Sequence, residues 1–377
     1  MWPQSNGRQY SRAIDLKTRE ERENQPMRSK LCAITYSVFL SSVAVCPAFA
    51  QKPTAIAIGI NTVNPEHYDG WSGPLAACEA DARDMAEIAR SQGFSATEIL
   101  TSEATRDTFW RTLRKAANDT PENGIVVISY SGHGGHVPDI NGDEVDGQDE
   151  TWCLYDGQLL DDELSHAWTF FKRGVRVVVF SDSCNSGSVI KMREVASIVE
   201  AEANEGPAVG GLALAEEPFK QRKDAVRQLG DRVRDFLAEA PEAGVPTGGP
   251  VGGGKTNAQS PIRAMPPAVG ARTSQKHKAF YEGLQLMMPP KSESAQHTSA
   301  TILLISGCQD SQLSLDGNSN GLFTGTLKRV WNSGGFVGNY KAFHSQIADQ
   351  MPPYQTPNYL ITGSANPAFE NQKPYSK

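Results

Sequence analysis

Short apolar runs alternate with amphipathic stretches through the first half of the chain. The apolar runs are rich in β-branched residues and predict buried strands over Thr54–Ile60, Ala96–Leu100, Ile125–Tyr130 and Val175–Ser181. Apolar residues spaced three and four apart predict helices over Leu75–Gln92, Thr105–Ala117 and Asp161–Phe171. This alternation is typical of an α/β fold in which helices cover both faces of a mostly parallel central sheet.

The alternation stops at about residue 192 and resumes at about residue 300. The intervening stretch contains a Pro/Gly-rich run at 241–254, preceded by an amphipathic pattern that predicts a helix over Pro218–Ala240. A further strand is predicted at Thr301–Ser306, followed by helices over Asn320–Trp331 and Tyr340–Met351. We therefore expect one domain, made of a large segment (51–191) and a small segment (300–377) and split by an insertion (192–299).

The N-terminal region has the pattern of a targeting signal. Residues 27–50 combine a basic start, an apolar middle and a small-residue end at Ala48–Ala50, which predicts a secretory signal peptide cleaved before Gln51. Residues 1–26 are polar and precede Met27, so we interpret them as an extension or a misassigned start. The expected location is the periplasm or the exterior, with a single membrane anchor as the alternative.

Composition and cysteine content narrow the function classes. The chain is 39% hydrophobic and 21% charged, with a net charge of −7, which gives no electrostatic footprint for nucleic acid. Removal of the signal would leave four cysteines, too few for a disulfide scaffold. Whether they pair is left open. These residues are Cys78, Cys153, Cys184 and Cys308.

Two predicted strands end in residues that can carry nucleophilic chemistry. His133 follows the strand at 125–130 and Cys184 follows the strand at 175–181, each flanked by Gly and Ser. In an open α/β sheet, functional groups collect at the carboxyl ends of strands. A histidine beside a cysteine can hold it as the thiolate. The alternatives are two ordinary core residues, or half a zinc site made by His133 and His136.

Several motifs together resemble the metacaspases and the wider caspase-fold peptidases. They are collinear and cover about residues 54–190 and 300–370. They comprise SGHGG (131–135), GDEVDGQDE (142–150), LDDEL (160–164), DSCNSG (182–187), SGCQDSQLSLDG (306–317), NGLFTGTL (320–327) and QTPNY (355–359). The resemblance implies a caspase-like fold.

The resemblance also implies roles for individual residues. Cys184 would be the nucleophile and His133 the general base and acid, with the backbone N–H groups of Gly134 and Cys184 forming the oxyanion hole. Asp182 and Asp81, with Ser131 beside them, would line a pocket that selects arginine or lysine before the scissile bond.

The resemblance to metacaspases also suggests calcium as a cofactor. Asp149, Asp161 and Asp162 match in part the carboxylates that hold calcium in many metacaspases, but the position seven after the nucleophile is Lys191, whose charge would repel the ion. The loop at 139–150 has partial EF-hand spacing, with Glu144 where that motif needs glycine. We expect no required cofactor, with calcium as the alternative.

The predicted function is that of a cysteine endopeptidase cutting peptide or protein substrates after Arg or Lys. Neither a nucleic-acid partner nor an integral membrane domain after signal removal is expected. The alternatives are a related thiol peptidase or transpeptidase of other specificity and a catalytically silent peptide-binding scaffold. The insertion is interpreted as a self-cleavage or lid segment because it is Pro/Gly-rich and contains basic residues, with a tolerated surface insertion as the alternative. Those residues are Arg193, Lys255, Arg263 and Arg272.

Overall fold

The computed structural model describes residues 52–184 and 262–377, except 145, 310 and 311. The predicted signal peptide, the predicted helix at 218–240 and Lys191 lie outside these residues. The described part contains a six-stranded sheet in the order β2-β1-β3-β7-β8-β9 and a three-stranded sheet in the order β4-β5-β6. All neighbours in the larger sheet are parallel except β8 and β9.

The strands and helices alternate along the chain as the apolar pattern predicts. The strands are β1 (Thr54–Gly59), β2 (Ser95–Leu100), β3 (Ile125–Ser131), β4 (Gly134–Pro138), β5 (Gln148–Leu154), β6 (Gly157–Leu160), β7 (Arg176–Asp182), β8 (Thr301–Ser306) and β9 (Asn358–Gly363). The helices are α1 (Cys78–Ser91), α2 (Arg106–Asp119), α3 (Asp161–Ala167), α4 (Pro267–Lys276), α5 (Lys278–Met287), α6 (Lys291–His297), α7 (Leu322–Trp331), α8 (Tyr340–Ala348) and α9 (Pro367–Glu370). The prediction of an α/β fold with a mostly parallel sheet is confirmed.

Two apolar clusters cover the two faces of the large sheet. Phe109 and Leu113 of α2 belong to the cluster on one face. Met85 of α1 and Leu327 of α7 belong to the cluster on the other. Because both faces are covered, the central strands β3 and β7 are buried along their whole length. This explains why they read as continuous apolar runs rather than as alternating ones.

Two regions contain more structure than the apolar pattern predicts. Residues 134–160, which include the acidic loop expected at 139–150, form the antiparallel sheet β4-β5-β6. Helices α4–α6 lie in the last third of the predicted insertion. Several positions that these helices bury are polar, among them Thr273, Gln285 and Ser294. Apolar residues alone therefore do not mark the buried face of these helices, and Leu286 and Met287 of α5 are exposed.

Two further expectations concern membranes and cysteines. Among the helices that the structure describes, none has the length and apolar character needed to cross a bilayer. No disulfide joins the cysteines that the structure describes, and Cys78, Cys153, Cys184 and Cys308 are all buried.

Candidate active site

The two predicted chemical residues follow neighbouring strands of the sheet. Strands β3 and β7 pair in parallel with Ser131 opposite Asp182. The chain leaves β3 at Ser131 and reaches His133 two residues later, and it leaves β7 at Asp182 and reaches Cys184 two residues later. Both side chains are buried, at 1% exposure each. The structure therefore brings His133 and Cys184 to one edge of the sheet.

His133 is held in a defined orientation by the loop before α1. Its Nε2 lies 2.9 Å from the Gly73 carbonyl oxygen, and its ring centroid is 4.7 Å from that of Trp71. A carbonyl only accepts, so Nε2 carries the proton and Nδ1 carries the lone pair. Within the described residues Nδ1 is buried and has no hydrogen-bond partner. Nδ1 is thus the nitrogen that can accept a proton.

The environment of His133 favours its neutral form. Burial lowers the pKa of His133 from 6.5 to about 4, and the hydrogen bond to Gly73 only partly opposes that shift. Gly73 itself has a φ of +50°, and a Cβ there would lie 2.8 Å from His133 Nε2. A side chain at residue 73 would therefore both strain the backbone and displace the imidazole.

The thiol of Cys184 contacts the loop after β8. Its Sγ accepts a hydrogen bond from the Ser314 backbone N–H at 2.7 Å and lies 3.4 Å from the Ser314 carbonyl oxygen. In the part of the chain that the structure describes, no hydrogen bond joins Cys184 Sγ to His133. The predicted dyad thus shares an edge of the sheet without a direct hydrogen bond in this arrangement.

A segment of the chain itself lies across this edge in the manner of a substrate. The Arg263 carbonyl oxygen accepts hydrogen bonds from the backbone N–H groups of Gly134 (2.9 Å) and Cys184 (3.2 Å). These are the two groups predicted to form an oxyanion hole. On the preceding side, Arg263 N donates to Ser314 O at 3.0 Å, and Ile262 bridges Leu315 in antiparallel fashion.

The Arg263 side chain fills a pocket lined by three carboxylates. Its Nη2 lies 2.6 Å from Asp81 Oδ2 and 2.9 Å from Asp316 Oδ1, and its Nη1 lies 2.9 Å from Asp182 Oδ2. Nη1 also donates to Ser131 Oγ at 2.9 Å. Burial lowers the pKa of this guanidinium, but the neighbouring carboxylates outweigh burial and the pKa is raised well above the usual value for arginine. The pocket is built to hold a cation.

Other hydrogen bonds fix the carboxylates before any cation binds. Asp81 Oδ1 accepts from Gly321 N, and Asp182 Oδ2 accepts from Thr324 N, at 3.1 Å each. Asp316 Oδ2 accepts from Ala76 N at 2.6 Å. Burial raises the pKa of Asp81, and Arg263 is the strongest opposing influence. An arginine in the pocket therefore favours the ionised form of Asp81.

Sequence reasoning missed two residues of this arrangement. Asp316 lies in the motif at 306–317, but nothing in its spacing indicated that it would join Asp81 and Asp182. Arg263 was one of four basic residues noted in the insertion, and no local pattern separated it from the others. The pocket is assembled from segments far apart in the chain, so its occupant can be recognised only once the fold is known.

The predicted metal residues lie in a separate acidic cluster between β4, β5 and α3. Carboxylate oxygens of Asp139, Asp143 and Asp149 lie within 4.8 Å of one another. Both oxygens of Asp149 are buried and have no partner among the described residues. Burial and the neighbouring carboxylate of Asp162 raise the pKa of Asp149 to about 8. Burial and Asp143 raise the pKa of Asp162 to about 7.

A lysine from α6 enters the same cluster. Lys291 Nζ forms ion pairs with Glu144 and Asp161, and its backbone N donates to Asp143 Oδ2 at 3.0 Å. The unpartnered oxygens of Asp149 fit a divalent cation, which prefers oxygen ligands. Asp161, by contrast, already has a cationic partner. Of the three residues that the resemblance assigns to calcium, Asp161 therefore pairs with Lys291. Asp149 and Asp162 have no cationic partner among the described residues.

The fold and the residues that follow β3 and β7 together indicate the class of protein to which this chain belongs. A family model of the caspase domain, peptidase family C14, matches residues 55–375. That span is most of the chain, so the protein belongs to the caspase-domain family of cysteine peptidases.

Individual relatives are consistent with this assignment. The chain is 26% identical over 292 residues to metacaspase-1 of Schizosaccharomyces pombe, covering 73% of this chain and 58% of that protein. It is 33% identical over 156 residues to metacaspase-1 of Emericella nidulans, covering 37% of each chain. The crystal structure of protein GSU0716 from Geobacter sulfurreducens superposes with a TM-score of 0.65 at 40% identity, covering 86% of this chain and 98% of that one. The chain thus spans about a third to three fifths of the length of these two metacaspases.

Proposed function

We propose that this protein is a cysteine endopeptidase that cleaves peptides and proteins after arginine or lysine. The observation that carries the proposal is Arg263. Its carbonyl oxygen is bound by two backbone N–H groups beside Cys184, and its guanidinium lies among three carboxylates. A residue held in this way is one whose carbonyl is ready for attack by a thiol.

The reaction assigns one role to each group. His133 Nδ1 accepts the thiol proton of Cys184, and Sγ attacks the carbonyl carbon of the residue before the scissile bond. The N–H groups of Gly134 and Cys184 stabilise the negative charge that develops on the carbonyl oxygen. His133 then gives the proton to the departing amine, and water hydrolyses the acyl-enzyme. The Gly73 carbonyl keeps the imidazole in the required tautomer.

Charge explains the specificity. Asp81, Asp182 and Asp316 face one another in a buried pocket, so a cation in that pocket relieves their repulsion. Arginine can form paired charge-assisted hydrogen bonds there, and lysine can place one ammonium between the carboxylates. An aspartate side chain would add a fourth negative charge to the pocket and be rejected.

The test uses the chain from residue 51 in an Arg263→Gln background, which removes the internal guanidinium from the pocket. Peptides with Arg, Lys or Asp before a reporter amine are assayed, with Cys184→Ala in the same background as the matched control. We expect release after Arg and Lys only, and none in the control. Release after Asp, or release that survives Cys184→Ala, would contradict the proposal.

We also propose that calcium is not required for this activity. Lys291 already neutralises part of the acidic cluster, and a cation bound by Asp139, Asp143 and Asp149 would neutralise the rest without touching the reacting groups. Peptide release should therefore persist in a calcium chelator. Loss of release in the chelator, restored by added calcium, would show that the cluster needs a metal.

Export is proposed on the signal-like pattern at 27–50. Expression in a bacterial host should yield a protein whose first residue is Gln51. An N-terminus at Met1 or Met27 in the exported fraction would contradict it.

A further inference from the structure

Both sides of the Arg263–Ala264 peptide bond are anchored to the body of the protein. On the side of the amine, Ala264 bridges Gly134, and Met265 N donates to Gly134 O at 2.7 Å. Ala264 and Met265 are buried. Helices α4–α6 (267–297), which we call the clamp, follow directly. The clamp packs on the large segment, so it fixes the residues that would leave after cleavage.

The centre of the clamp is Tyr281. Its hydroxyl lies 2.8 Å from His67 Nε2 and accepts a hydrogen bond from Gln158 N at 3.1 Å. The rings of His67 and His277 stack at a centroid distance of 4.0 Å and an interplanar angle of 6°. These contacts join α5 to the loop before α1 and to β6.

Further contacts continue along α5 and α6. Gln285 accepts a hydrogen bond from Ile140 N at 2.7 Å and donates to Pro138 O at 2.9 Å. Lys291 pairs with Glu144 and Asp161. Every partner named here belongs to residues 67–161. Cleavage at Arg263–Ala264 would therefore leave the new amine attached to the large segment through the clamp.

We propose that the enzyme opens and reseals its own Arg263–Ala264 bond, and that the clamp, by retaining the amine, keeps the chain intact and the pocket filled. This inference rests on the proposed peptidase activity. The active site then becomes available to other substrates when the clamp is displaced, rather than when the bond is cut.

The chemistry is a reversible acyl transfer. Cys184 Sγ attacks the Arg263 carbonyl carbon, the bond to Ala264 N breaks, and His133 gives that nitrogen a proton, leaving a thioester and a free amine. In the reverse step the Ala264 amine attacks the thioester carbon and returns its proton to His133, and the thiolate leaves. The peptide bond re-forms with no net change in atoms or electrons.

Proximity favours the reverse step over hydrolysis. A well-oriented intramolecular nucleophile can act with an effective molarity of about 10⁵–10⁸ M, far above the concentration of bulk water. An α-amino group with a pKa of about 8 is partly neutral at pH 7, so a retained Ala264 amine is able to attack. Hydrolysis becomes dominant only if Ala264 moves away.

The experiment weakens the clamp without touching the active site. The wild-type chain from residue 51 is compared with two double variants. Tyr281→Phe/Gln285→Ala, the clamp variant, removes four hydrogen bonds of the clamp. Leu286→Ala/Met287→Ala is the matched control. Leu286 and Met287 lie on the same helix and are 77% and 71% exposed. Mass spectrometry follows a fragment that begins at Ala264, and calorimetry verifies that each variant is folded.

We expect the wild-type and control chains to stay intact and the clamp variant to form the fragment about tenfold faster or more. Cys184→Ala in the clamp background should abolish it. Hydroxylamine added to the wild-type chain should trap the thioester as the Arg263 hydroxamate, a test that needs no clamp variant. Equal cleavage rates in all three chains would overturn the inference, as would absence of the hydroxamate.

The two proposals fail in different ways. If external arginine peptides are cleaved but the clamp variant is cut no faster than wild type, the inference is wrong and the peptidase proposal stands. If folded protein cleaves neither its own chain nor any peptide, the peptidase proposal itself is wrong.

Discussion

Replacement of Asp316 by asparagine should selectively weaken recognition of arginine. Asp316 Oδ1 lies 2.9 Å from Arg263 Nη2, and Oδ2 accepts from Ala76 N. Asparagine keeps the shape but loses the charge and one acceptor. Asp316 accepts one further hydrogen bond, from Ala76 N, whereas Asp81 and Asp182 each accept more. Asp81 accepts from Gly321 N and Asn320 Nδ2, and Asp182 accepts from Thr324 N and Ser314 Oγ. Asp316 is therefore the better target.

The expected magnitude follows from the type of bond that is lost. A hydrogen bond to a charged group contributes about 1.5–3 kcal/mol. Since about 1.4 kcal/mol corresponds to a factor of ten, kcat/KM for arginine peptides should fall about 10- to 150-fold. The contact exists before and during the reaction, so most of the loss should appear in KM and little in kcat.

The assay measures kcat/KM in the Arg263→Gln background with peptides that carry arginine or its neutral isostere citrulline. The matched control is Asp84→Asn, because Asp84 lies near the pocket but pairs with Lys328. We expect Asp316→Asn to narrow the preference for arginine over citrulline and Asp84→Asn to leave it unchanged. An equal loss for both peptides, or a loss below about threefold for arginine, would refute the assignment of Asp316 to the pocket.

Two further predictions concern the oxyanion hole and the acidic cluster. Gly134→Ala should lower kcat by about 100-fold or more, because a Cβ at residue 134 would lie 1.5 Å from the Cys184 carbonyl oxygen. Gly283→Ala is the control and should leave kcat unchanged, because a Cβ at residue 283 would lie in open space. Equal activity of the two variants would contradict the role of Gly134. Asp149 has a raised pKa, so the folded state binds more protons than the unfolded state between about pH 4 and 8, and stability falls as pH rises through that window. Asp149→Asn should therefore raise the Tm by about 2 °C or more at pH 8 and leave it unchanged at pH 4. Asp146→Asn, at an exposed position, is the calorimetric control. A Tm gain for Asp149→Asn that is larger at pH 4 than at pH 8 would contradict the predicted direction of the pH dependence of stability.

The strand-end chemistry could be predicted from the sequence because it depends on local pattern. Apolar runs that end in Gly/Ser-rich turns locate His133 and Cys184 at strand ends. Parallel neighbours β3 and β7 then bring the ends together. These inferences need only a strand, its end and the direction of the sheet. The pocket role of Asp182, by contrast, was implied by the resemblance to metacaspases.

The occupant of the pocket and the clamp could not be predicted in this way. Arg263 reaches Asp81 and Asp316 only after segments from opposite ends of the domain have packed together. The clamp helices contact the large segment in part through polar groups of Tyr281, Gln285 and Lys291. Polar contacts leave no apolar period in the sequence, and their partners are set by tertiary structure.

The acidic loop shows a similar limit. Carboxylates at 139, 143 and 149 lie in the stretch that we expected to be an acidic loop, and Asp162 lies in the helix predicted after it. In the fold, Asp149 and Asp162 are buried by the pairing of β4 with β5 and by α3. The sequence indicated the carboxylates but not that two of them would be withdrawn from water.

The most direct test of the central claim is labelling of Cys184 by a thiol-reactive peptide probe with arginine at its recognition position. The probe is applied to the chain from residue 51 and to Arg263→Gln, with an aspartate probe of the same reactive group for comparison. Because Arg263 occupies the pocket, we predict slow labelling of the wild-type chain, labelling about tenfold faster or more in Arg263→Gln, and none with the aspartate probe. No labelling of Cys184 in either folded chain would indicate a silent scaffold, and equal labelling by both probes would contradict a pocket built for a cation.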